Sequence, residues 1–174
     1  HRCINIIAQA AASVPFELWN QQGREARKEI SAHPLLNLLA RPNPLNAKVA
    51  FFEALYQYRL ISGNAFVLAL GPKGSAPLEL HLLRPDRVSI IAGEGGTPAA
   101  YRYTAGTTAR DYPVDRMSGQ SRVLHLKNFH PLNDWYGLSP IEAAAYSIDQ
   151  HNQSAAWNQA LLQNGARPSG ALVV

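Results

Sequence analysis

The segment from Tyr136 to Val174 limits what this chain can fold into more than any other. Ser139-Pro140-Ile141-Glu142 has the form of a capping box. In such a box the serine hydroxyl accepts from the backbone N–H of Glu142, and the glutamate carboxylate reaches back to the N–H of Ser139. Pro140 falls at the first helical position, where no N–H is needed and φ is already set. No breaker follows until Gly165, which suits a left-handed C-terminal cap, and Pro168 forbids continuation. The pattern predicts a helix of about 24 residues, roughly 36 Å long at ~1.5 Å per residue. That is more than one small core needs, and such a helix reaches another subunit or another part of a larger chain.

The 174-residue sequence supports one domain with a core of its own. No apolar run approaches ~18 residues, so no membrane-spanning helix is expected. The chain opens on His1 and closes on Leu172-Val173-Val174, and we expect a piece of a longer protein. The single cysteine, Cys3, lies in an apolar helical pattern, and the expectation is a buried structural thiol in a reducing compartment. Arginine outnumbers lysine twelve to four, and the basic excess sits before residue 88. Arginine serves bidentate interface pairs as well as phosphate contacts, so this bias permits nucleic acid without requiring it.

Arg2 to Ala12 reads as a helix with Ile4, Ile7, Ala8 and Ala11 on one stripe. Ser13 to Trp19 alternates as an edge strand marked by Pro15, and Gln21 to Ser31, with Gly23, reads as a polar surface loop. Pro34 starts a short helix that Arg41-Pro42-Asn43-Pro44 must end, Asn43 being confined to turn or extended backbone. Asn46 is the expected N-cap of a helix over 47–62 with two buried faces, one in the core and one against a neighbour. Gly63-Asn64 ends that helix. Short β runs follow at 65–70, 78–83, 87–92, 101–104 and 122–127, with turns at 71–75 and 93–96 and a long polar loop at 105–120. The order predicts an α+β fold: helices flanking an antiparallel β-sheet or small barrel, then the long capped helix. Within one domain, 1–62 holds the N-terminal helices with one edge strand, 63–128 the β insert and 139–165 the long helix.

Chemistry is hard to find. Gly71-Pro72-Lys73-Gly74-Ser75 reverses the order of a phosphate loop, and Gly93-Glu94-Gly95-Gly96 has no helix behind it. Gly137-Leu138-Ser139-Pro140-Ile141 matches a nucleophile elbow only as far as the serine, which is better used as a cap. His81, His125 and His130 lack a partner at ligand spacing, and no two carboxylates are forced together. No catalytic, cofactor or metal site is expected. The aromatics Phe51, Phe52, Tyr56 and Tyr58 encircle a helix and read as packing rather than as a platform for bases.

Taken together, several short pieces resemble the portal proteins of tailed bacteriophages of the long-tailed type. They are Cys3-Ile4-Asn5-Ile6-Ile7-Ala8, Ser13 to Trp19, Leu38-Leu39-Ala40-Arg41-Pro42-Asn43, Gly63-Asn64-Ala65-Phe66, Val123-Leu124-His125-Leu126, Gly137-Leu138-Ser139-Pro140 and Asn164 to Gly170. The resemblance covers nearly the whole chain, and Phe66 departs from the more common tyrosine. It implies a phage or prophage structural protein: the wing part of a ring, typically of twelve subunits, at one vertex of a viral head. Double-stranded DNA is packaged and ejected through such a ring, which also initiates assembly and joins head to tail. The implied partners are other copies of itself, the major capsid protein, the terminase large subunit and adaptor proteins, with no cofactor and no membrane. The implied location is the virion, with assembly in the host cytoplasm. Ser139, Glu142, Gly165, Asn43, Gly63 and Asn64 are then structural caps and turns. Trp157, Leu161 and Leu162 are candidate subunit contacts, and Arg–carboxylate pairs between neighbours would use much of the arginine. The alternative from the residues alone is a β module that binds nucleic acid without sequence preference.

Overall fold

A computed structural model describes residues 2–22, 26–72 and 74–165. Gly23, Lys73 and the exit from Ala166 to Val174, Pro168 included, lie outside the described residues. The chain divides into two compact units, one over residues 1–139 and one over 140–174.

The first unit is built around strand β3 (Asn64–Leu70), the middle strand of a three-stranded antiparallel sheet. Its partners are β4 (Glu79–Leu83) and β8 (Val123–Lys127), with Val67 opposite Leu82 on one side and Leu124 on the other. The sequence Asn-Ala-Phe-Val-Leu-Ala-Leu is almost continuously apolar because both faces are covered. Phe66 and Leu68 point into one core, with Leu83, Val88, Tyr101, Tyr112 and Val123. Ala65 and Val67 point into another, with Phe51 and Leu55. The first core lies against a second antiparallel sheet made of β5 (Val88–Ala92), β6 (Pro98–Ala105) and β7 (Thr108–Pro113). The second lies under helix α3 (Lys48–Ser62). The other face of α3 meets helix α1 (Arg2–Ser13) of the same chain. The order is therefore helices, sheet, sheet, an α+β arrangement of open sheets rather than a closed barrel.

Several local expectations are corrected. On α1 the buried residues are Ala8 and Ala12, while Ile7 is exposed. Small residues let the two helices approach, and Gln57 and Glu53 of α3 bond Asn5 and Gln9 across the seam. The rotated stripe leaves Cys3 exposed, not buried. Of the stretch expected as a strand, Ser13 closes α1, Trp19 opens β1, and residues 14–18 between them form no strand. There Phe16 packs on Phe52 at 4.8 Å, and Lys48 lies over the Phe16 ring while donating to the Val14 carbonyl. The strand proper is β1 (Trp19–Gln22), paired with β2 (Ala26–Glu29) inside the segment read as a loop. The loop read at 105–120 likewise contains β7, where one residue, Tyr112, is buried. A bidentate Arg102–Asp111 pair joins it to β6. With one inward side chain, neither composition nor alternation marks this strand.

Helix α2 (Pro34–Ala40) ends at the proline-rich turn, and its function there is specific. Asn43 is 4% exposed; its Oδ1 accepts from the N–H groups of Leu45 and Asn46, and its Nδ2 donates to the Leu80 carbonyl at 2.8 Å. The Leu80 N–H donates to the Pro42 carbonyl, so the turn covers the outer edge of β4. Asn46 does not cap α3, whose N-cap is Ala47. The Asn46 N–H instead donates to Asn43 Oδ1, and α3 begins at Lys48.

In the second unit α4 (Pro140–Ala143) and α5 (Ala145–Gln163) form one nearly continuous helix, interrupted at Ala144 with φ −98° and ψ 5°. The i to i+4 ladder continues through the irregularity, from Ala144 to Pro140 and from Ile148 to Ala144.

Replacing Asn43 with alanine strands two amide N–H groups and one carbonyl, and is expected to lower unfolding free energy by about 1–3 kcal/mol in urea titrations. Asn46→Ala is expected to stay within about 0.5 kcal/mol of the parent. Equal effects would contradict the assignment of the cap.

Candidate functional site

Segments far apart in the sequence meet where α3 turns into β3. Gly63 closes α3 with φ +74°, and its N–H reaches the Arg59 carbonyl at 3.0 Å. An added Cβ at Gly63 would overlap the backbone of Gly137, and one at Gly137 would overlap Gly63 and Asn128. The two chains pass in direct backbone contact, which only glycine on both sides permits.

Asn64, 5% exposed, is the centre of this junction. Its Oδ1 accepts from the Gly137 N–H at 2.7 Å and from His125 Nε2 at 2.9 Å. Its Nδ2 donates to the Ser62 carbonyl at 2.7 Å and the Gly137 carbonyl at 3.3 Å. A buried primary amide offers two acceptor sites and two donors, and here all are engaged. Because Oδ1 can only accept, His125 carries its proton on Nε2. The His125 ring stacks on Phe66 at 4.2 Å and meets the edge of Tyr101 at 5.9 Å. Burial among these rings, together with the nearby Lys127 charge, pushes the imidazole down to about 4.

Asn128 adds a second set of ties. Its N–H donates to the Gly63 carbonyl at 2.9 Å, and its Oδ1 accepts from Arg59 Nε at 2.7 Å. Its Nδ2 reaches the Arg59 and Leu138 carbonyls. The Ser139 hydroxyl donates to the Ile61 carbonyl at 2.7 Å, at the unsatisfied end of α3. Tyr136 accepts the Ile90 N–H on its phenol oxygen, fastening the loop to the second sheet. The arrangement fixes the place where the chain leaves the first unit. It holds backbone, and its polar atoms serve that geometry.

The three histidines are not brought together. His81 pairs with Glu79 at 2.8 Å, and His130 Nδ1 accepts the Leu132 N–H at 3.1 Å. Among the described residues no group of three metal-ligating side chains assembles. Among the described residues Arg84 pairs with Asp86, Arg102 with Asp111 and Arg116 with Glu94. Glu142 stands in the first turn of α4, and Gly165 has φ +64° with its N–H on the Leu162 carbonyl. Helix α5 has no buried residue; Trp157 is 66% and Leu162 75% exposed, with Leu161 half-buried. Trp157 and Leu161 are four residues apart and share one face. Sequence reading singled out Asn64 and Ser139 but missed Asn128, Tyr136 and the pairing of the two glycines. The signal was there: a Gly-Asn directly after a helix, and a second glycine before the Ser-Pro.

The family model described as phage portal protein matches residues 1–174. A protein of Rickettsia felis is 46% identical over 174 residues, all of this chain and 44% of that one. The portal protein of Enterobacteria phage HK97 is 28% identical over 148 residues, 84% of this chain and 33% of that one. Among solved structures, the neck of an empty GTA particle computed with C6 symmetry superposes with a TM-score of 0.81 at 41% identity, over 98% of this chain and 44% of that one. The neck of a native GTA particle computed with C12 symmetry gives 0.77 at 39% identity, over 98% and 42%. The chain thus spans less than half the length of the relatives it matches.

A neutral buried histidine makes stability depend on pH. His125 sits at about 4 when folded against an ordinary 6.5, so the unfolded chain takes up the proton first. The stability it contributes is complete above about pH 6.5 and is lost as pH falls from there toward 4. Denaturant midpoints measured across that window are expected to fall with acid, and to fall less in His125→Gln. Identical pH profiles would contradict this.

Proposed function

Since the chain belongs to the phage portal protein family, we propose that it forms the wing segment of a subunit in a homo-oligomeric portal ring. The ring sits in the virion of a phage-like particle, and double-stranded DNA passes through it during packaging and ejection. Its role is structural and not enzymatic. The observation that carries the assembly reading is helix α5: nineteen residues long, none of them buried, with Trp157 and Leu162 bare. In proteins most of a helix's stability comes from packing one face against a neighbour rather than from propensity. Copies of the same protein supply that face most economically, since head-to-tail contacts between identical subunits close into a ring. The two similar necks, computed with sixfold and twelvefold symmetry, support that reading.

The finer roles rest on family membership. They include contact with the major capsid protein, terminase and adaptor proteins, non-specific passage of DNA, and assembly in the host cytoplasm. An independent nucleic-acid-binding β module is less well supported, because Arg84, Arg102 and Arg116 are engaged by carboxylates instead of forming a patch for phosphates.

Electron microscopy and mass photometry of the full-length protein are expected to show closed rings of uniform subunit number. A chain that stays monomeric at high concentration contradicts the reading. Replacing Trp157 and Leu162 together with serine is expected to reduce the ring fraction at least about tenfold, since each buried apolar side chain contributes roughly 1.5–3 kcal/mol.

A further inference from the structure

Helix α5 has no buried residue, yet its side chains are not those of a solvated helix. A helix with one face in water carries charges on that face. Residues 145–163 contain no lysine or arginine and a single acid, Asp149, in a chain that is 16% charged. Six Asn and Gln side chains take polar positions instead. Depletion of charge marks the centre of an interface.

The apolar residues form two stripes rather than one. At ~100° per residue, Tyr146, Trp157 and Leu161 fall within about 60° of one another. Ile148, Ala155 and Leu162 fall within about 40° of one another, roughly 150° away around the helix. All are exposed except the half-buried Leu161. Asp149 lies on the flank between the stripes.

The stripes also match in height. Ile148 is two residues beyond Tyr146, Ala155 two before Trp157, and Leu162 one beyond Leu161. Each pair therefore lies within about 3 Å along the axis, at ~1.5 Å per residue. Rotation about a ring axis carries every residue to the same height in the next subunit. A helix standing along that axis then meets its own copy without offset, and one stripe lands on the other. Tyr146 comes opposite Ile148, Trp157 over the small Ala155, and Leu161 opposite Leu162. The same symmetry sets polar residues level with their copies. Like charges would repel there, whereas amides both donate and accept and can pair with one another.

We infer that the α5 helices of successive subunits stand side by side in the ring, with the stripe of Tyr146, Trp157 and Leu161 seated on the neighbour's stripe of Ile148, Ala155 and Leu162. The occupant of both stripes is a second copy of this chain. A head-to-tail ring needs two different patches on opposite flanks of each subunit, and one helix supplies both. The inference rests on the ring reading above and names the surfaces that make the contact.

Disulfide trapping in the full-length protein tests it, with the exposed Cys3 and any other native cysteine replaced by serine. Tyr146→Cys with Ile148→Cys is expected, on mild oxidation, to give a ladder of covalent oligomers up to the full ring on non-reducing gels. Either cysteine alone is expected to give none. Positions two apart on one helix point away from each other, so the bridge forms only between subunits. Ala155→Cys with Trp157→Cys repeats the trap should the first variant fail to assemble. Ala155→Glu keeps a good helix former at an exposed position, and is expected to cut the ring fraction at least tenfold by mass photometry. Dimers from a single cysteine would mean that like stripes meet. Rings that trap no covalent oligomers, or that tolerate Ala155→Glu, would mean that α5 packs on something else. Each of these overturns the contact and leaves the ring reading standing. A parent protein that forms no rings overturns both.

Discussion

One buried amide determines how the first unit closes. Strand β3 is covered on both faces, so its first residue enters a region without water to satisfy polar groups. Asn64 supplies that satisfaction: it receives the Gly137 N–H and the His125 ring, and it donates to Ser62 and Gly137. The end of α3, the end of β8 and the segment before Ser139 are thereby held at one point. The backbone contact between Gly63 and Gly137 follows from the same closure, and so does the position of Asn128. Leaving any one partner unmet would strand a desolvated group, which is the expensive error inside a protein.

The two units obey different physics. In the first, helices and sheets bury one another: Phe66 and Phe51 are covered by elements of the same chain. In the second, a long helix carries Tyr146, Trp157 and Leu162 to solvent and has no buried residue. A segment that forms good local hydrogen bonds but buries nothing depends on what it meets. Membership in the portal family gives that dependence a structural meaning, since the similar solved chains come from the necks of particles built by repetition.

How much of this was legible depended on whether a residue's task was local. The proline-started α2, the apolar run of β3 and the glycines after α3 and α5 are set by neighbours in the sequence, and their patterns are plain. The strands β2 and β7 were not legible: both are polar and charged in sequence, and β7 buries Tyr112 alone, so it shows no apolar alternation. The stripe on α1 was right at Ala8 but included Ile7, which is exposed, and left out Ala12, which is small enough to sit inside against α3. The junction was half legible. Asn64 and Ser139 stood out as turn and cap residues, whereas the role of Asn128 depends on Arg59, whose side chain is 69 residues away in sequence. Trp157, Leu161 and Leu162 were picked out as apolar residues near the helix end, and of these Trp157 and Leu162 are exposed and Leu161 half-buried.

The central claim is that α5 is an assembly element while β3 belongs to a self-sufficient core. Amide hydrogen exchange on the full-length protein, compared between subunits and assembled rings, tests it directly. The account predicts that β3 amides are protected in both states and that amides over 145–163 gain protection on assembly. Equal protection of α5 in free subunits and in rings, or its continued rapid exchange in rings, would contradict the claim.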